Sequence, residues 1–338
     1  MRTVEFSFDY PSSLVATSPG EKFRCAYVSA SDVVELNQKA QLLQRLQPGD
    51  VLVVNDTQVI KRRVFTPSGL EVLFLKNLDA NIWRVLFPAR RLKVGDEISL
   101  PQGRSMRLLQ KGLPQLVETD QILDEEYFQH VAELALPPYI QQARGERHNS
   151  VQDDSWYQTE WAQNKGSFAA PTASLHFSNQ DLSNLQDRGV HVVRLTLHVG
   201  LGTFLPVKSD QLSDHTMHAE SVWISNSTLE TIEATKARGH KVWALGTTVA
   251  RALESWAHGY LQNCDSGVAG ETDIFITPGF QFRVVDRLLT NFHQPQSTLL
   301  AMVAAFVGLE RVKQVYAWAI HRNFKLFSYG DLSVWERT

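Results

Sequence analysis

Short apolar runs that each end in a cluster of small polar residues set the rhythm of this chain. Val51-Leu52-Val53-Val54 leads into Asn55-Asp56-Thr57. Residues 190–198 end in His198 and pass into the glycine corner Gly200-Leu201-Gly202-Thr203-Phe204. Residues 242–245 run into Gly246-Thr247-Thr248, and residues 284–289 into Thr290-Asn291-Phe292-His293. Unbroken apolar runs of this length predict strands buried on both faces, as in parallel sheets. Polar groups at the carboxyl ends of such strands stand where open α/β sheets take ligands. Helical spacing appears at 36–46, at 179–187 behind Ser178 as a cap, at 226–238 ahead of Gly239, and at 298–306 and 309–320. A further strand is expected at 273–276. The pattern predicts a mixed α/β fold.

Residues 66–135 change character. Short strand-like pieces at 70–75, 83–87, 98–100, 106–109 and 116–118 alternate with turns such as Val94-Gly95-Asp96. Their even spacing predicts a small all-β domain at 66–135, with a helix at 124–134 leading out of it. It would interrupt a main catalytic domain formed by 1–65 and 136–338. Residues 141–156 are polar and read as an exposed loop.

Composition narrows the classes. The chain has 338 residues, 43% of them hydrophobic, enough for a sizeable core and roughly two domains. A net charge of −3 argues against a surface coated in positive charge, although a local basic patch remains open. Two cysteines, Cys25 and Cys264, are too few for a disulfide framework or a cysteine metal site. The N-terminus lacks a basic and apolar leader, and no run of about 18 apolar residues occurs, so a soluble cytoplasmic protein is expected.

The glycine corner lets backbone approach a ligand closely, with His198 before it and Thr203 after it. His215, His218 and Glu220 form the densest titratable cluster. Two histidines three apart and a glutamate two further on could ligate zinc, but the spacing is not HExxH and no cysteine supports it, so no metal is expected. Acid–base work suits them better, with Glu220 holding an imidazole in one tautomer. Gly246-Thr247-Thr248 opens a helix whose first N–H groups favour an anion, without the spacing of a nucleotide loop. Arg251 and Glu254 lie one turn apart and read as a helix-surface pair. Lys61-Arg62-Arg63 either grips phosphates or forms a solvated face. Each segment has a structural reading on its own. Their recurrence after buried strands favours one shared cleft.

Taken in order, NDT at 55–57, PPYI at 137–140, YQT at 157–159, AAPTASLHF at 169–177, HVGLGTFLPV at 198–207, HTMHAE at 215–220, GTTVARALE at 246–254, LLTNFHQPQSTLL at 288–300 and FSYGD at 327–331 cover nearly the whole chain. This array resembles the S-adenosylmethionine:tRNA ribosyltransferase-isomerase family of the queuosine pathway. The resemblance implies a mixed α/β main domain with an inserted barrel-like β domain. It implies a transferase and isomerase in tRNA modification. S-adenosylmethionine, as co-substrate, gives its ribosyl group to the aminomethyl-deazaguanine base of tRNA, and epoxyqueuosine forms. No further cofactor and no membrane are implied; the oligomeric state is not.

The candidate catalytic residues are His198, His215, His218 and Glu220. Candidate donor and substrate contacts are Asn55, Asp56, Thr57, Arg63, Pro171, Thr172, His176, Gly200, Leu201, Gly202, Thr203, Phe204, Gly246, Thr247, Thr248, Arg251, Asn291, Phe292 and His293. The chain departs from the family's pattern at Gln58, Lys61, Gln142, Trp156 and Ser174. Fewer basic residues weaken phosphate neutralisation. A relative that uses or cleaves S-adenosylmethionine with a small-molecule acceptor, or an inactive binding protein, therefore stands as the alternative.

Overall fold

The structure, a computed structural model, describes residues 1–200 and 209–337. They form two compact units. The first holds residues 1–59, 138–145 and 155–338, and the second holds 60–137 and 146–154.

Among the described residues, the first unit carries a ten-stranded sheet. At its centre run four parallel strands in the order His191–Leu197, Val51–Asn55, Val242–Leu245 and Arg287–Asn291. Val51–Asn55 is buried at every position, as a strand covered on both faces must be. The chain adds His191–Leu197 on one side of it and later Val242–Leu245 on the other. That reversal of direction is a topological switch point, and the carboxyl ends beside it form a natural crevice.

Antiparallel strands extend the sheet beyond both sides of this centre. Glu220–Ser225 pairs with His191–Leu197, and Gly267–Thr272 with Glu220–Ser225. On the other side Leu332–Glu336 runs against Arg287–Asn291 and parallel to Cys25–Val28. Helices Asn179–Asp187, Asn226–Ala237 and Thr247–Ala257 pack on the central strands. Ser178 caps the first of them by accepting from the Asp181 amide, as its position predicts. None of the helices among the described residues is long and apolar enough to cross a membrane.

The second unit holds a seven-stranded antiparallel sheet. Its order is Ala132–Glu133, Arg63–Phe65, Glu71–Asp79, Ile82–Leu86, Gln115–Thr119, Ser105–Gln110, Glu97–Ser99. Helix Glu125–Val131 turns Tyr127 and Phe128 into this unit's core. Asp124 caps it by accepting from the Tyr127 amide, and Phe128 packs edge-on against Phe74 and Trp83.

Some elements differ from expectation. The helical pattern at 36–46 resolves into strand Val33–Leu36 and helix Lys39–Leu43. Leu36, Leu42, Leu43 and Leu46 all enter one core, so burial continues through a change of backbone. Residues 273–276 form no strand. The Ile274 amide is taken by the Thr272 hydroxyl at 3.2 Å, after Gly267–Thr272 has used the available ladder. The expected loop at 141–156 includes parts of helices Pro138–Arg144 and Asp153–Trp156.

Candidate active site

At the carboxyl ends of the central strands, Asn55 joins the ends of two neighbours. Its Nδ2 donates to the Leu197 carbonyl at 3.0 Å, and its Oδ1 accepts from the Leu197 amide at 3.1 Å. The same oxygen accepts from the Thr57 amide, and Nδ2 reaches Thr248 Oγ1 at 3.4 Å. Asn55 is fully buried, and each of these bonds satisfies an atom that water cannot reach.

Asp56 also faces inward. Its Oδ1 accepts from Thr196 Oγ1 at 2.6 Å and from Asn164 Nδ2 at 3.1 Å. Thr57 begins a short parallel ladder with Asn164–Ser167. Its hydroxyl lies 2.8 Å from His198 Nδ1. His198 is half-buried. Burial holds its pKa below the ordinary imidazole value, partly opposed by the negative charge of Asp56. The ring is neutral near pH 7 and able to accept a proton. Gly166 lies against this ring. A Cβ there would come within 2.9 Å of His198 Cε1, and its φ of +151° is one that side-chain-bearing residues rarely adopt.

After His198 the chain passes Val199, whose amide donates to Ser167 Oγ at 2.9 Å, and reaches Gly200. The Gly200 amide donates to Glu220 Oε1 at 2.8 Å. Glu220 Oε2 accepts from Arg251 Nη1, and both side chains are buried. Leu201, Gly202, Thr203 and Phe204 lie outside the described residues.

The structure thus brings together Asn55, Asp56, Thr57, His198 and Thr248, and links Gly200, Glu220 and Arg251. Gly246, with φ of +101°, makes the turn that starts helix Thr247–Ala257. Arg251 is therefore no surface partner of Glu254. Glu254 is fully buried and accepts from the amides of Arg283, Val284 and Val285 at 2.8 to 3.0 Å. The expectation that Glu220 would orient a histidine also changes, because its two oxygens face Arg251 and Gly200. His215 is half-buried with its ring edge toward Phe275, and His218 is exposed. Burial, then the nearby His218, lowers the His215 pKa.

Other candidates serve different partners. Thr172 Oγ1 donates to Asn291 Oδ1 at 2.8 Å, while Asn291 Nδ2 donates to the Gly330 carbonyl at 3.0 Å. His176 Nε2 donates to the same carbonyl, and burial lowers its pKa to about 4. His293 is buried against Thr290 Oγ1 at 2.7 Å, and its pKa falls to about 3. Phe292 stacks edge-on with Tyr316 and Phe324 in the core. Pro171 is buried, and Ser174, at a departure from the family's pattern, is fully buried inside a 3₁₀ turn. Arg63 belongs to the second unit, where Nη2 donates to Glu133 and Asn149, each at 2.6 Å. Its guanidinium is buried there: Nη2 is engaged, Nη1 lies 3.8 Å from Glu71, and Nε and Nη1 have no hydrogen-bond partner.

Sequence reasoning missed Thr196, Asn164, Gly166 and Ser167. Thr196 alternates with apolar neighbours and has an ordinary strand reading. The Asn164–Ser167 ladder carries no apolar run at all. Among the described residues no group of three or more His, Cys, Asp or Glu is placed to hold a metal ion.

Residues 3–334 match the family described as queuosine biosynthesis protein. The chain is 40% identical over 347 residues to the S-adenosylmethionine:tRNA ribosyltransferase-isomerase of Halothermothrix orenii, with 98% of each chain covered. It is also similar to a solved structure described as S-adenosylmethionine tRNA ribosyltransferase from Thermotoga maritima, at TM-score 0.54 and 26% identity. That match covers 98% of this chain and 99% of the other.

Proposed function

The chain belongs to the queuosine biosynthesis protein family, and from that premise we propose that it carries out the reaction in its relatives' names. S-adenosylmethionine donates its ribosyl group to the aminomethyl group of a deazaguanine base in tRNA. Adenine and methionine leave, and the sugar rearranges to the epoxycyclopentanediol of epoxyqueuosine. The protein is a cytoplasmic transferase that takes S-adenosylmethionine as co-substrate and needs no other cofactor. Its second unit is the inserted β domain expected of the family.

One observation supports the catalytic assignment above others: the neutral, half-buried imidazole of His198 at the end of a central parallel strand, anchored by Thr57. The reaction requires a base for the acidified proton on the ribose carbon next to sulfonium. For His198 Nε2 to be that base, Nδ1–H must donate to Thr57 Oγ1, which fixes both tautomer and ring plane. Burial keeps the ring unprotonated and therefore competent near neutral pH. Asn55 and Thr248 tie the strand end to the helix start beside the donor. Gly200 provides close backbone approach, its amide oriented by Glu220.

The test is adenine release from S-adenosylmethionine, followed with and without tRNA carrying the aminomethyl-deazaguanine base. Release that depends on that tRNA supports the proposal. Release without any tRNA indicates a small acceptor or plain cleavage. No release in either case leaves a binding protein.

A further inference from the structure

A cavity of about 230 Å³ opens within the first unit, with Gly20, Lys22, Phe23, Leu175, His176 and Tyr329 among its walls. It lies on the same edge of the ten-stranded sheet as His198. Leu332 stands opposite Asn291 and beside Cys25. The turns that lead into Leu332–Glu336 and Cys25–Val28 therefore lie at the carboxyl end of the parallel strands. Four strand spacings separate Leu332–Glu336 from His191–Leu197, about 19 Å at roughly 4.8 Å each. A donor whose reacting carbon meets His198 cannot also fill this cavity, because neither its adenine nor its methionyl tail extends so far.

The walls suit a neutral ring. Phe23 is half-buried and stands edge-on to His176, with ring centres 6.5 Å apart. The Gly330 carbonyl can only accept, so His176 Nε2 donates to it and Nδ1 carries a lone pair. Nδ1 is not sealed from solvent and has no partner among the described residues. Burial keeps this ring uncharged near neutral pH, so the lone pair persists. Charge at the rim balances: Lys39 pairs with Asp181 at 2.7 Å, and Glu21 offsets Lys22. An aromatic wall beside a fixed acceptor, without net charge, fits an unstacked nucleobase that offers an N–H, and not a phosphate. The volume falls below the roughly 300 Å³ at which drug-sized sites begin, and it takes one ring system. Single-stranded RNA is read in this way, by stacking on aromatic side chains and hydrogen bonds to base edges.

We propose that this cavity binds a second base of the acceptor tRNA, turned out of the stack near the target nucleotide, held against Phe23 and hydrogen-bonded through its own N–H to His176 Nδ1. This rests on the tRNA reading made above and adds to it a base-reading subsite apart from the reacting centre. The target base goes to the end of the central strands, and its neighbour along the RNA anchors the loop further down the same sheet edge.

Steady-state adenine release by the full-length protein tests this, using S-adenosylmethionine and stem-loop RNAs that carry the aminomethyl-deazaguanine base. In each RNA one nucleotide flanking that base is made abasic. In wild type one abasic position raises KM for RNA roughly 10-fold, the scale of one lost base–aromatic stack, with kcat unchanged. Phe23→Ala raises KM for the intact RNA by a similar factor, leaves KM for S-adenosylmethionine unchanged, and no longer responds to that abasic position. Gly20→Trp serves if Phe23→Ala fails to fold. A Cβ at Gly20 meets only the Lys22 carbonyl oxygen, at 3.7 Å, and the added ring crowds the cavity mouth. The same abasic penalty in wild type and in a folded variant overturns the proposal. So does a variant that raises KM for S-adenosylmethionine and not for RNA, or a wild type indifferent to every abasic position. Wild-type adenine release without any tRNA, or none with it, overturns the tRNA reading and this inference with it.

Discussion

The two sheets use buried charge and polarity in opposite ways. In the first unit's parallel centre, strand interiors are apolar and polar groups collect at carboxyl ends, where Asn55, Thr57 and His198 meet. In the second unit's antiparallel sheet, charge is absorbed locally. Arg63 is 1% exposed, meets Glu133 and Asn149, and lies across the ring of Phe65. Arg62 donates to Glu125 and covers Phe128. A basic triplet and a polar strand end look equally suggestive in one dimension. What separates them is that the arginines have their counter-charges built in beside them, whereas His198 stands half-buried at a strand end with, among the described residues, only Thr57 on its ring.

The comparison breaks first at His198. His198→Ala is expected to lower adenine release by at least about 100-fold, the usual scale of a lost acid–base group. The denaturation midpoint should move little, since the ring is only half-buried. Turnover within a few-fold of wild type in a folded variant would return His198 to a structural role. Arg63→Met should do the reverse. Leaving Glu133 with only His148 and the Asn149 amide is expected to destabilise the second unit by up to about 3 kcal/mol, read from chemical denaturation. Turnover per folded molecule with saturating substrate should hold. A loss of turnover without a loss of stability would place Arg63 in binding after all.

Gly166→Ala sharpens the contrast at smaller scale. The added methyl meets the His198 ring at 2.9 Å on a backbone that resists it, so kcat should fall roughly 10-fold through a displaced imidazole. An unchanged pH–rate profile and kcat would show that the ring position is not critical.

The smallest effect is in pH. His176 and His293 have pKa values lowered to about 4 and about 3. Below pH 6.5 the unfolded chain binds protons that the native histidines refuse, so stability declines as pH falls toward 4. Each histidine contributes at most about 1.4 kcal/mol per pH unit. Asp331 opposes them in part. Burial raises its pKa to about 6, so the native state keeps a proton that the unfolded state has lost. Unfolding free energies at pH 6.5 and 5 should fall with acid, and His293→Gln should flatten that slope by about one proton.

Much of the parallel centre was legible because it is the most local signal in the chain. Val51–Asn55 and Val242–Leu245 are continuous apolar runs closed by turn formers. The flanking strands were not legible. Cys25–Val28 pairs with Leu332–Glu336, about three hundred residues away, and neither run is long enough to declare itself. The site was legible as a set of strand ends but not as a set of bonds. Glu254 stands one turn from Arg251, yet three backbone amides claim its carboxylate. Glu220, distant in sequence, takes the arginine instead. Gly166 and Asn164 gave no sign, since their importance lies in what they touch across the fold.

The Asn55 side chain does for the sheet what a peptide group does inside it: one donor and one acceptor are exchanged with the same residue, Leu197. It acts as a prosthetic rung that lets the main chain peel away one step early while the strands stay clasped. Aspartate lacks the donor and would turn the clasp into a repulsion against the Leu197 carbonyl. Glutamine overshoots by a methylene. The branching of the two strands at this point thus depends on a single amide group.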